Sequence, residues 1–253
     1  MRSTWQHDDF VSYKLGRLFE FSSRGLIYNI TLVSLLITVT SLLLFAPHMA
    51  FAKDTSAAEA LRAVENKYQT AMSVKMDVKK TLRLSVLDKT KESHGEMTLQ
   101  SPGHMRLELK EPDNSLLVVN PKSVWLVHHP LDDDFDDKVR VTVSKEPLKS
   151  QPQMLVVFLM GSGSLLDTFT IKNEATWKPG GEPIELEPKK KTESEISKAS
   201  LIIEAGEIKK LSYFDHLDNE TVLEFSKTKF GEKIKKTLFE YKPPKDAVVT
   251  RVD

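Results

Sequence analysis

The feature that most constrains this chain is a series of short alternating segments cut by turn residues. From about Asp77 onward the turns fall at Gly95, Ser101-Pro102-Gly103, Glu111-Pro112-Asp113-Asn114 and Asn120-Pro121-Lys122-Ser123. Side chains of a strand alternate between two faces, while Gly, Pro, Asn and Asp supply the backbone angles that let it reverse. The pattern predicts an antiparallel meander. It returns after Asp167, with turns at Pro179-Gly180-Gly181, Ala205-Gly206, Asp218-Asn219 and Gly231. The spacing predicts about ten strands in all. Between the two blocks, Met154, Leu155, Phe158 and Leu159 recur at helical intervals before Gly161-Ser162-Gly163. Short helices inserted into a sheet protein are expected over Lys145 to Asp167. Lys189 to Lys198 is charged and aperiodic, and reads as a solvated loop.

Ahead of the meander, Ser56-Ala57-Ala58-Glu59 is a capping box, in which serine and glutamate each satisfy a backbone N–H that the first helical turn leaves unpaired. Leu61, Val64, Tyr68 and Met72 follow at helical spacing, so a helix with one apolar stripe lies on something apolar. The strand Ser115 to Asn120 raises the complementary question, because Leu116, Leu117, Val118 and Val119 make both of its faces apolar. With Glu111 to Asn114 as the turn, Lys110 opposes Ser115, and the pleat places Met105, Leu107, Leu109, Leu116 and Val118 on one face. Carrying that register forward adds Trp125 and Val127, and carrying it backward adds Leu99 and Met97. Four consecutive strands are thus expected to share one wide apolar face. A curled sheet of this size encloses either a packed core or a ligand cavity.

The N-terminal end has a different character. Leu26 to Ala46 is an uncharged apolar run preceded by Lys14, Arg17 and Arg24 and followed by Ala50-Phe51-Ala52. This is the pattern of a secretory signal, with cleavage expected before Lys53. The run is also long enough to span a bilayer, which leaves an uncleaved anchor as the rival reading. Residues 1–52 are therefore set apart from a single domain over 53–253. The chain has no cysteine, so an exported domain has to be held by packing alone. Lysine plus arginine and aspartate plus glutamate both number 36, and no overall field favours nucleic acid.

The motifs that suggest chemistry are incomplete. His128-His129 precede Asp132-Asp133-Asp134 and Asp136-Asp137, but adjacent strand histidines point to opposite faces, and the acidic run lacks the glycine and glutamate of an EF-hand loop. Ser162 lacks the spacing of a nucleophile elbow. No metal, cofactor or catalytic group is assigned.

An ordered set of motifs resembles the LolA family of periplasmic lipoprotein carriers. Ser101-Pro102-Gly103-His104-Met105-Arg106-Leu107-Glu108 is similar to the family's Pro-x-x-aromatic-Arg-aromatic strand. Pro112-Asp113-Asn114-Ser115-Leu116-Leu117-Val118 follows, and Asn120-Pro121-Lys122-Ser123-Val124-Trp125-Leu126 is similar to its DGKxLW hairpin. Leu186-Glu187-Pro188-Lys189 and Phe239-Glu240-Tyr241-Lys242-Pro243-Pro244, with Val248-Val249, look like its L-x-P-K and closing elements. The resemblance covers about Ala57 to Val249.

It implies an incomplete antiparallel β-barrel, mainly β, with an N-terminal helix and a helical lid over an apolar cavity that holds acyl chains. The function implied is a non-enzymatic periplasmic carrier taking lipoproteins from the inner to the outer membrane. Its partners would be acylated cargo, a donating inner-membrane ABC transporter and an accepting outer-membrane lipoprotein, with the carrier a monomer. The expected acyl contacts are Leu99, Met105, Leu107, Leu109, Leu116, Val118, Trp125 and Val127, and the expected lid residues are Leu155, Phe158 and Leu159. The family's arginine before the first motif proline corresponds to Ser101, so closure is expected to rest on apolar lid contacts. A sensor or carrier of another lipid, and an exported hydrolase, are the alternatives.

Overall fold

A computed structural model describes residues 55–131, 138–145, 163–190 and 196–252. The chain divides into two compact units, Met1–Ala52 and Lys53–Asp253, and every described residue lies in the second.

Helix α1, Ala57–Ala71, starts where the capping box predicts: Ser56 Oγ accepts from the Glu59 N–H at 3.2 Å, and the Ser56 N–H donates to Glu59 Oε2 at 3.1 Å. Its buried stripe is Leu61, Val64 and Tyr68. Met72 departs from that stripe. It takes a left-handed conformation (φ 64°) as the C-cap and is 58% exposed, because the chain must turn there to enter the first strand.

Among the described residues twelve strands form one sheet, against about ten predicted by the spacing. In chain order they are β1 Ser73–Leu84, β2 Lys89–Gln100, β3 His104–Leu109, β4 Ser115–Asn120, β5 Ser123–His128, β6 Arg140–Ser144, β7 Phe169–Ile171, β8 Ile184–Pro188, β9 Ile196–Glu204, β10 Glu207–Asp215, β11 Glu220–Phe230 and β12 Val248–Val252. The hydrogen-bonded order is β12-β6-β5-β4-β3-β2-β1-β11-β10-β9-β8-β7. Every neighbouring pair is antiparallel except β12 with β6, which is parallel. The two edges, β12 and β7, do not meet, so the sheet is an open, incomplete barrel. A short helix, α2 Leu165–Thr168, precedes β7, and a 3₁₀ turn covers Lys236–Phe239.

Two sequence expectations change. Gly95 is not a turn but lies inside β2, opposite Leu109; a Cβ there would collide with the Glu108 carbonyl, so the glycine lets β3 approach closely. The turn it was expected to make falls instead between Leu84 and Lys89. Lys198, expected in a loop, belongs to β9. The helices expected around Met154, Leu155, Phe158 and Leu159 lie outside the described residues.

Two apolar clusters sit on opposite faces of the sheet. The larger joins Leu61, Val64 and Tyr68 of α1 to strands from β1 through β5 and from β7 through β11. Participation of nearly the whole sheet in one cluster with one helix is the sign of its curl. The smaller consists of Leu116, Val118, Val127, Val141 and Phe239, with Trp125 and Tyr241 packed against it.

Candidate functional site: the helix-side face of the sheet

The candidate site is built from cross-strand rows. On the helix side Leu99 pairs with Met105, Met105 with Val119, and Val119 with Val124; the next row runs Met97, Leu107, Leu117 and Leu126. Val74 and Met76 of β1 extend these rows through Leu99 and Met97. All but Leu126 are buried in the larger cluster, and Leu126 packs against it. Burial of this kind stabilises by about 1.5–3 kcal/mol per large apolar side chain.

The expected register is one residue out. Leu109, not Lys110, opposes Ser115, so Lys110 to Asn114 form the connection. The N–H groups of Asp113 and Asn114 both donate to the Lys110 carbonyl, at 3.2 and 3.3 Å, and Asn114 sits at φ 40°. One extra loop residue moves every following side chain to the other face. Leu99, Met105, Leu107 and Leu109 therefore lie on the helix side, whereas Leu116, Val118, Trp125 and Val127 belong to the outer cluster. Their places are taken by Leu117, Val119, Val124 and Leu126. The lid residues Leu155, Phe158 and Leu159 lie outside the described residues.

The outer face has its own cover. Phe239 enters the smaller cluster, the Asn120 amide donates to its carbonyl at 3.0 Å, and its ring lies 5.3 Å from that of His104. A polar cleft of about 570 Å³ opens beside this cover, between Arg106, Glu108 and Tyr241.

Helix α1 is fixed by polar contacts at several points. Tyr68 Oη accepts from the Ile208 N–H at 3.2 Å, and its ring meets Phe230 edge-on at 5.2 Å. Burial pushes the Tyr68 phenol up to about 12. Glu65, a charged residue next to Val64 of the apolar stripe, is only 6% exposed. Its carboxylate accepts from Ser164 Oγ at 3.0 Å and from the Leu165 N–H at 2.8 Å, tying α2 to α1. Lys189, the lysine of the Leu-x-Pro-Lys motif, donates to the Leu166 carbonyl at 2.6 Å. A partner a hundred residues away in sequence leaves no local periodic signal, which is why Glu65 is missed. At Ser101, the backbone N–H donates to the Met72 carbonyl at 2.8 Å.

No helix among the described residues is long and apolar enough to cross a membrane. The helix-side cluster contains Met76, Met97 and Met105, which are unbranched and adaptable.

The family model for the outer membrane lipoprotein carrier protein LolA matches residues 69–242. An outer-membrane lipoprotein carrier protein of Legionella pneumophila (strain Corby) is 26% identical over 211 residues, covering 83% of this chain and 96% of the relative. One of Coxiella burnetii (strain RSA 331) is 24% identical over 163 residues, covering 63% of this chain and 72% of the relative. Among solved structures, a LolA superfamily protein from Nitrosomonas europaea aligns over 74% of this chain and 98% of its own, with TM-score 0.40 at 10% identity.

Proposed function

Because the chain belongs to the LolA family of outer-membrane lipoprotein carriers, we propose that it carries lipoproteins across the periplasm, sheltering their acyl chains on the helix side of the sheet. The observation that carries this reading is the helix-side face itself. Several adjacent strands present leucine, valine and three methionines without a charged interruption across the Leu99 and Met97 rows. An exposed methylene costs about 0.8 kcal/mol, so a lipoprotein with several acyl chains needs such a surface to cross water. It also has to be released, which favours adaptable linings over rigid ones.

In this reading the acyl chains contact Leu99, Met105, Leu107 and Leu109 together with Leu117, Val119 and Val124. The protein is a monomeric, non-enzymatic carrier. Its residues 1–52 act as an export signal. It takes cargo from an inner-membrane ABC transporter and passes it to an outer-membrane acceptor lipoprotein.

The test contrasts neighbours on one strand. Leu107 is buried on the helix side, while Glu108 is exposed on the other face. Leu107→Glu places a carboxylate among acyl chains at a cost of several kcal/mol, and Glu108→Leu does not. Binding of a synthetic triacylated lipopeptide should be lost in the first variant and kept in the second. Equal binding by both folded variants would refute the assignment.

A further inference from the structure

At one end of the helix-side face the apolar rows stop at a small group of polar side chains. Lys80 lies two residues beyond Val78 on β1, and His128 two beyond Leu126 on β5, so both have the parity of the apolar rows. Lys80 Nζ donates to Asp113 Oδ2 at 2.7 Å, with the two side chains 23% and 16% exposed. Asp113 belongs to the β3–β4 connection, so the lysine spans β2, where its strand partner is the buried Ser93. Tyr213, a member of the helix-side cluster, approaches from β10. Burial pushes its phenol up to about 12 and, despite the opposing pull of Asp113, holds the His128 imidazole below its ordinary value. Near neutral pH the Tyr213 phenol carries no charge, and the lysine and aspartate form a neutral pair; Arg140, the strand partner of His128, is a further cation beside them.

We infer that this edge seats the polar linkage between the acyl chains of a ligand and the remainder of its molecule, and that the Lys80–Asp113 pair favours uncharged ester and amide linkages over a phosphate. The inference rests on the carrier reading. The ammonium has three N–H donors, and the pair with Asp113 uses one, leaving donors for ester or amide carbonyls. The carboxylate accepts from an amide N–H. A phosphodiester drawn to Lys80 meets Asp113 at nearly the same distance, so attraction and repulsion offset while the phosphate still loses hydration. Asp113 is thus the specificity-determining residue, and Lys80 is its counterweight.

The experiment measures binding of two probes to the mature chain: a triacylated cysteinyl peptide with an uncharged peptide part, and a short-chain phosphatidylglycerol kept below its micellar concentration. The wild type should prefer the lipopeptide. Asp113→Asn leaves the ammonium uncompensated and should move the preference toward phosphatidylglycerol by about tenfold, an effect weakened by salt. The exchanged pair Lys80→Asp/Asp113→Lys restores neutrality and guards against a folding defect in the single variant; it should discriminate as the wild type does. An unchanged ratio in folded Asp113→Asn, or phosphatidylglycerol preferred by the wild type, overturns the inference while leaving the carrier reading intact. If the wild type binds neither probe, the carrier reading fails and the inference falls with it.

Discussion

The apolar clusters on the two faces of the sheet differ in one material: among their residues, methionine occurs only on the helix side. On the outer face the buried residues are Leu116, the β-branched Val118, Val127 and Val141, and one aromatic plug, Phe239. On the helix side the same part of the sheet is continuous with Leu99, Met97, Met105 and Leu107. Valines have one dominant rotamer and pack stiffly, whereas methionine and leucine reach many shapes at little cost. The covers differ too: a short turn, Lys236–Phe239, closes the outer face, while α1 lies on the helix side through separate polar anchors. One face is therefore suited to holding the sheet together, and the other to changing what it holds.

The largest expected effect breaks the outer face. Phe239→Ala removes its plug and should cost about 3–5 kcal/mol in denaturant unfolding. Lipopeptide affinity of the folded fraction should stay within about twofold, an energy change well under 1 kcal/mol. A variant that keeps its stability would show that the outer cluster closes without this ring.

Alkaline pH addresses the helix side. Tyr68 and Tyr213, both in that cluster, have phenols pushed up to about 12 by burial. The unfolded phenols ionise near 10, so the unfolded chain releases protons first as pH rises. Their contribution is present below pH 10 and lost between about pH 10 and 12, on the order of 2 kcal/mol each. Absorbance titration should show Tyr68 and Tyr213 ionising last, near pH 12, with burial also holding Tyr241 above its usual value, and Tyr68→Phe should remove one of the last two. Ordinary titration of all five would contradict the burial of both rings.

Gly95→Ala tests the strand spacing that both faces share. Its methyl group would meet the Glu108 carbonyl and lie 3.0 Å from Leu109 Cα. The expected loss is about 1–3 kcal/mol, read as a lower melting temperature. The smallest effect is at the start of α1, where Ser56→Ala should cost about 1 kcal/mol. Faster hydrogen exchange should be confined to the first helical turn, and uniform destabilisation would mean that the cap contributes more than a local bond.

The same comparison explains what could be read from the sequence. Where polarity alternates, the faces were legible: the Leu61, Val64 and Tyr68 stripe, and the placing of Leu99 and Met97 on one face with Met105 and Leu107, match the structure. In β4 all four central residues are buried, so the pattern has no phase. Turn length alone then decides which face each residue occupies, and the extra loop residue at Lys110 sent Leu116, Val118, Trp125 and Val127 outward. Gly95 was misread because a glycine required for close strand approach looks the same in sequence as one required for a turn. Lys80–Asp113 and Glu65–Leu165 were invisible because their partners are brought together only by the completed sheet.

The parallel pairing of β12 with β6 also sets an order of events in time. An antiparallel hairpin closes as soon as its second strand exists, but Arg140–Ser144 waits for Val248–Val252, roughly a hundred residues later, to cover its open edge. Until then β6 offers free N–H and C=O groups to any passing extended chain. The C-terminal strand thus takes over the open edge from β6, and chaperoning before that moment protects an edge rather than a core.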